Sequence, residues 1–251
     1  FRQEIVNGAQ VERPDNWVRA GSPWEFARRG FLYRVSFYGR SEAYADAGGV
    51  TRYRWADGES IMAMANDIII PGYGNGSVIN MRLWTALASQ DFDLEDFNRG
   101  DYMGSMEAKV LSENISKVLY PSDEVAQGRE LRLKQQYFFV AATFQDIMRR
   151  FRKNKTDFHE FPERVAVQLN DTHPAISIPE LMRLLLDEEM LGWDEAWDIC
   201  VRTFAYTNHT VLPEALETWP VELVARMLPR HMEIIYEINR RFLMEANRRF
   251  P

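Results

Sequence analysis

Two short polar runs hold the side chains best suited to chemistry, Asn170-Asp171-Thr172-His173 and Asn208-His209-Thr210. A histidine beside a carboxylate can move a proton near neutral pH, and carboxamides and hydroxyls can hydrogen-bond a polyhydroxylated ligand. Glu214 and Glu217 fall one helical turn apart just after His209 and add acceptors. Metal binding is a thin reading of this set. Asp171, His173 and His209 lack the H-x-x-x-H or H-x-H spacing of common metal sites. A neutral hydrogen-bonding role toward a polar ligand is the better one, with capping of the chain turns as the structural alternative.

Other chemistry-bearing residues yield less. Gly72-Tyr73-Gly74-Asn75-Gly76 invites a phosphate-loop reading, but Ser77 stands where G-x-G-x-x-G wants glycine, so a turn is expected. Ser122 and Ser177 lie in no G-x-S-x-G elbow, and Cys200 falls on an expected core helix, which leaves nucleophilic catalysis without support. Asp123-Glu124 would suit a carboxylate pair for glycoside hydrolysis, but adjacent acids in a Pro-Ser turn are more often solvated. Trp24 either packs a bend or stacks on a sugar ring.

The elements that must position these runs follow from periodicity. Phe31, Tyr33, Val35 and Phe37 alternate with Leu32, Arg34 and Ser36, and Val50 to Trp55 alternates again, which predicts several short antiparallel strands. Their turns are marked by Asp46 to Gly49, Asp57-Gly58 and Pro71 to Gly76. After Asp101 the period changes. Leu111, Ile115, Val118 and Leu119 share one helical face, and Tyr137, Ala141, Phe144, Met148 and Phe151 another, so two helices are expected, broken at Pro121. Asn154 to Glu163 reads as a polar connection. Val165 to Leu169 reads as a buried strand, followed by a helix opened by Pro179, a second helix capped by Asp194, and a strand over Thr203 to Tyr206. A strand, a helical crossover and a strand form a βαβ unit, so both polar runs are expected at the carboxyl ends of parallel strands, where α/β sheets bind ligands. From Arg230 onward, Ile234, Ile235, Ile238, Phe242, Leu243 and Ala246 predict a last helix.

Composition bounds the rest. With 251 residues, 46% hydrophobic, the chain is long enough to bury a full core. A net charge of −7 repels nucleic-acid backbones, and no apolar run approaches a membrane span. One cysteine excludes an intrachain disulfide and favours a reducing, cytoplasmic setting. A chain that starts at Phe1 and stops at Pro251 after a helical run reads as a piece of something longer.

Longer motifs carry a resemblance. Val118-Leu119-Tyr120-Pro121-Ser122-Asp123-Glu124 and Gly128-Arg129-Glu130-Leu131-Arg132-Leu133-Lys134-Gln135-Gln136-Tyr137-Phe138 closely resemble the gate loop and following helix of glycogen (α-glucan) phosphorylases. So do Gln168 to Pro174, Tyr206 to Glu217, Leu228 to His231, Gly21 to Glu25 and Phe37 to Arg40. The resemblance spans nearly the whole chain. It implies an α/β fold that is part of the glycosyltransferase-B arrangement of two Rossmann-like domains. Residues 1–100 would be a β-rich portion, 101–163 a helical portion with a dimer helix and gate loop, and 164–251 the βαβ portion carrying the sugar-site loops, with the cofactor domain absent.

The implied activity is reversible phosphorolysis of terminal α-1,4-linked glucose from glycogen or maltodextrin by inorganic phosphate, giving glucose 1-phosphate with retention in a homodimer. By position, His209 resembles the catalytic histidine whose imidazole binds the sugar 6-hydroxyl and whose carbonyl lies near the reacting carbon. Asp171, His173, Thr210, Ala215, Glu217 and Arg132 match the lining of the sugar subsite, and Asp123 and Glu124 match the mobile gate, where some relatives read Asn-Asp-Asn. The helix from about Tyr102 to Ser116 matches the helix that pairs subunits. Arg230, His231, Tyr236 and Asn239 match a surface region where some members hold polysaccharide. The family's pyridoxal phosphate, whose phosphate assists proton transfer, sits on a lysine of the other domain. Lys109, Lys117, Lys134, Lys153 and Lys155 are all expected on charged helix faces or in the polar connection, none desolvated, so the chain alone is expected to be inactive. A free-standing carbohydrate-binding module and a metal-dependent hydrolase built on Asp171, His173 and His209 are the alternatives from other classes.

Overall fold

The computed structural model describes residues 2–13, 24–88, 110, 112–118, 121, 125–154, 157–213 and 216–250. The expected gate residues Ser122, Asp123 and Glu124, with Ala215, Glu214, Lys109, Lys155 and most of the expected subunit-pairing helix, lie outside the described residues. The chain divides into two compact units, Phe1–Phe31 with Ala65–Leu83, and Leu32–Met64 with Trp84–Pro251. Three long strands, β3 (Glu25–Phe37), β6 (Glu59–Pro71) and β7 (Val78–Ala88), contribute residues to both and hydrogen-bond in the order β3-β6-β7.

In the first unit, β1 (Arg2–Val6) and β2 (Ala9–Arg13) form an antiparallel hairpin with Val6 opposite Ala9. Asn7 and Gly8 both take positive φ (52° and 81°), the geometry a two-residue hairpin turn requires. Asn-Gly is a strong local turn signal, yet it precedes the stretch whose alternation was legible. The buried Asp67 carboxylate is gripped at 2.8 Å by Arg82 and at 2.8 Å by Arg28, and these two guanidinium groups, Arg82 foremost, hold its pKa down to about 2.

The second unit opens with β4 (Arg40–Ala45) and β5 (Thr51–Ala56), antiparallel with Arg40 opposite Ala56. Tyr38 and Gly39 turn the chain from β3 into β4 at φ of 60° and 70°, and a Cβ on Gly39 would lie 2.2 Å from the Ala56 carbonyl oxygen. Only glycine fits there. The β4–β5 turn is held by Asp46, whose Oδ1 accepts from the Gly48 and Val50 amides at 2.9 Å each.

Helix begins again over residues 112–117, and α1 (Ala126–Asn154) follows Pro121. Along α1, Leu133, Tyr137, Phe138, Val140, Ala141, Phe144, Met148 and Phe151 are buried, the face that the 3.6-residue period predicts. The expected polar connection is instead folded. Asp157 accepts from the His159 amide at 2.9 Å and opens a 3₁₀ turn (Phe158–Glu160) that runs into α2 (Phe161–Arg164). Phe158 and Phe161 are buried against Phe151, which is why this stretch of polar residues folds.

Then come β8 (Val167–Asn170), α3 (Ser177–Arg183) continuing as a π-helical turn (Leu184–Glu188), α4 (Trp193–Thr203) and β9 (Phe204–Thr207). β8 and β9 pair in parallel, Asn170 opposite Thr207, as the βαβ pattern requires. The cap of α4 is not Asp194. Gly192 occupies the N-cap position, and its amide donates to the Glu195 carboxylate at 3.0 Å, while Asp194 points to solvent and pairs with Arg241 at 2.8 Å. Two further helices, α5 (Val221–Met227) and α6 (Pro229–Arg249), complete the unit. Leu181, Met182, Leu185, Ile199 and Ile234 join the α1 face in one core. Among the described residues no helix is long and apolar enough to cross a membrane.

Candidate functional site

The parallel register sets the site's geometry. As β8 ends, the Asp171 amide still donates to the Thr207 carbonyl at 2.9 Å, and Asp171 then turns at φ 66°, a left-handed conformation that non-glycine residues rarely take. Its carboxylate accepts from the Thr172 amide at 2.7 Å, which fixes the turn. After β9, the Asn208 side chain accepts from the Thr210 amide at 3.1 Å, so each polar run is held by its own side-chain-to-amide bond at neighbouring strand ends. His209 Nε2 meets the Asn170 side-chain oxygen across the two ends. Gln168 Nε2 reinforces the pairing with a 2.7 Å bond to Thr207 Oγ1. His209, Thr210 and Asn170 are exposed.

A second cluster forms one turn further along. Glu217 gathers Arg132 (3.0 Å), Gln136 (3.0 and 3.1 Å) and His173 Nδ1 (3.2 Å) around one carboxylate. Arg132 and Gln136 stand one helical turn apart on α1, and His173 stands in the turn that leads from β8 to α3. Arg132, Gln136 and His173 also line a cavity of about 360 Å³ with Ile115, Val118 and Phe139. Gln135 ties the neighbouring helical turn to α1 by donating to the Ile115 and Val118 carbonyls at 3.1 and 2.7 Å. The arrangement supplies acceptors, amides and one guanidinium to a polar ligand, and no activated nucleophile. Burial pushes the Cys200 thiol up to about 12, far from thiolate chemistry.

The structure thus brings together Arg132, His173 and Glu217, and brings His209 and Thr210 to the strand end that carries Asp171. Asp123, Glu124 and Ala215 lie outside the described residues. From sequence, Asn170 is named only as part of its polar run and Gln136 only within the longer motif, neither with a role of its own, although Gln136's spacing from Arg132 on one helix face is the signal that finds it. Among the described residues no three His, Cys, Asp or Glu side chains group as a metal site.

Two expectations need correction. Arg230 and His231 are buried, not part of a surface that holds polysaccharide. Arg230 lies 3.7 Å from the Tyr53 ring centroid and pairs with Asp187 at 2.8 Å and Glu233 at 2.9 Å; His231 is enclosed beside Glu180 at 2.6 Å. Tyr236 and Asn239 remain exposed on α6. Lys134 is not a solvated helix lysine either. Its amine sits over the Tyr38 ring (4.6 Å) and the Phe37 ring (5.7 Å), and burial lowers its pKa against the opposing pull of Glu130 and Glu59. Lys117 pairs with Glu113 at 2.5 Å and Lys153 lies in the last turn of α1, so none of the described lysines stands at the strand-end site.

With this geometry in view, comparison with known proteins defines the class. The chain belongs to the carbohydrate phosphorylase family, whose family model matches residues 1–251. It is 55% identical over 259 aligned residues to the brain form of glycogen phosphorylase from Homo sapiens, with all of this chain and 30% of the relative covered. It is 53% identical over 251 residues to glycogen phosphorylase 2 from Dictyostelium discoideum (all of this chain, 25% of the relative), and 53% identical over 259 residues to the muscle form from Mus musculus (all of this chain, 30% of the relative). The chain therefore spans between a quarter and a third of the length of these relatives.

Proposed function

We propose that this chain forms one wall of the sugar site of a glycogen or α-1,4-glucan phosphorylase, which with inorganic phosphate releases terminal glucose as glucose 1-phosphate with retained configuration. The observation that carries the reading is the parallel β8–β9 pair, which brings His209 and Asn170 into contact at the strand end from which Asp171 turns. In this reading His209 binds the sugar 6-hydroxyl through its imidazole and presents its main-chain carbonyl to the positive charge that develops at the reacting carbon. Asp171, Thr210 and the Glu217 cluster, with Arg132 and His173, hold the hydroxyls of the terminal sugar and the adjoining pocket, joined by Ala215. Asp123 and Glu124 gate the entrance. Acceptors fixed before the substrate arrives spare the transition state the cost of reorganisation.

The described lysines do not fit a pyridoxal phosphate site, since Lys134, Lys117 and Lys153 are engaged or placed elsewhere. We assign the cofactor, and the groups that hold substrate phosphate, to parts of the protein beyond this chain. The complete protein is read as a cytoplasmic homodimer of glycosyltransferase-B fold, paired through the helix from about Tyr102 to Ser116, and the isolated chain as inactive. The test is phosphate-dependent release of glucose 1-phosphate from maltodextrin by the complete protein. A wild-type protein that binds maltodextrin without phosphorolysis would replace this reading with a binding module.

A further inference from the structure

Behind the Glu217 cluster lies a second cavity, of about 390 Å³, walled by α1, α3, α4, α5 and α6 and the stretch around Trp219. Its walls are mostly aliphatic, and the indoles of Trp197 and Trp219 line it. Trp197 keeps 36% of its surface exposed although it sits on a helix whose opposite residues are core. Two polar side chains line the cavity, Gln136 and Glu217.

We propose that this cavity binds a small planar ring compound, largely apolar with one hydrogen-bonding group, and that its occupancy strengthens glucan binding at the site in front of it. The walls set the ligand class. A sugar would bury hydroxyls against isoleucine side chains with nothing to pair them, whereas an aromatic ring offers area to the two tryptophans and one N–H to the Glu217 carboxylate. The volume suits a ring system of roughly ten to fifteen non-hydrogen atoms. Coupling follows from shared residues, and this part rests on the proposed phosphorylase reading. Gln136 and Glu217 line the rear cavity, and the same two side chains hold each other, Arg132 and His173 in front. A ring packed on that wall restrains them in the arrangement that faces the sugar, so each ligand favours the other by the same factor.

The probe is indole, added to the complete protein. Saturable binding is expected with a Kd on the order of 1 mM, the range open to a nine-atom ligand, followed by ligand-observed NMR. Ile235→Trp, which fills the cavity from α6, should abolish it, with Ile238→Phe as a second filling variant and an unchanged melting temperature as the check on folding. At saturating indole the KM for maltodextrin should fall at least twofold in wild type and not in either filled variant. Absence of saturable binding, binding that survives both folded variants, or a KM unmoved at saturation would each overturn the proposal. Failure of the phosphorylase reading is seen separately, as no phosphorolysis before indole is added.

Discussion

His231 Nε2 lies 2.6 Å from Glu180 Oε2, and both side chains are wholly buried between α6 and α3. Glu180 also receives both arms of Arg183 at 2.9 Å and the Tyr137 hydroxyl at 3.2 Å. Despite burial, Arg183 first and His231 second hold the Glu180 carboxyl down to about 2, so Glu180 stays anionic. His231 Nε2 then donates to it. Nδ1 has no partner among the described residues, and protonating it would bury an unpaired N–H, which agrees with a pKa that burial lowers below the ordinary histidine value.

The first prediction concerns pH. A histidine whose folded pKa is depressed is protonated more readily in the unfolded chain, so stability is full above the ordinary histidine value and falls as pH drops below it. The limiting slope is about 1.4 kcal/mol per pH unit. Glu180 adds little slope until the lower edge of that window, because its stabilising effect is lost as pH falls through the ordinary carboxylate range toward 2. Exposed His159, whose pKa its Asp157 partner raises, acts in the opposite sense, so wild type and variant must be compared directly. His231→Gln, which keeps a donor for Glu180, should flatten the decline between pH 7 and 5 in urea unfolding curves; parallel curves would refute neutral His231.

Second, His209→Ala in the complete protein removes the imidazole that holds the 6-hydroxyl and meets Asn170, and so the anchor that aims the main-chain carbonyl; it should lower kcat for phosphorolysis by roughly 10² to 10³. Steady-state kinetics with maltodextrin and phosphate decide it. An unchanged kcat removes His209 from the reaction.

Third, Glu217→Gln should reduce kcat/KM for maltodextrin by about ten- to a hundredfold, since hydrogen bonds to a charged group are worth about 1.5–3 kcal/mol and Glu217 accepts from three side chains. Its melting temperature should stay within a few degrees of wild type, because His173 is exposed and Arg132 keeps some solvent access. A large stability loss with normal kinetics would make the cluster a structural one.

Fourth, the isolated 251-residue chain should release no glucose 1-phosphate and bind no stoichiometric pyridoxal phosphate. Borohydride reduction after incubation should label lysines only in part, with Lys134 first, because its lowered pKa leaves it unprotonated at a lower pH than an ordinary lysine. Peptide mapping reads the order. One fully labelled lysine with phosphorolysis would overturn the assignment of the cofactor outside the chain.

Periodicity is local, and it was legible, whereas the equally local Asn7-Gly8 hairpin signal went unread. The alternation from Phe31 marked strands, the 3.6-residue face from Tyr137 to Phe151 marked the buried side of α1, and the strand-crossover-strand pattern placed Asp171 and Asn208 at neighbouring strand ends, because a helical crossover brings the second strand back parallel to the first. The motif wording from Gln168 to Pro174 and from Tyr206 to Glu217 pointed to the family that residues 1–251 match. Tertiary structure decided which polar groups meet. Arg230 and His231 look like surface residues at a helix start, yet α6 packs that end against α3, so they are buried with Asp187 and Glu180. Lys134 looks solvated by its neighbours in sequence, yet Tyr38, far away in the chain, covers it. Glu217 joins Arg132, Gln136 and His173 across three separate elements. A hydrophobic period reports which face of an element is apolar. It carries no information about the charge that another element will bring opposite a polar side chain, and that pairing arises only when the elements pack.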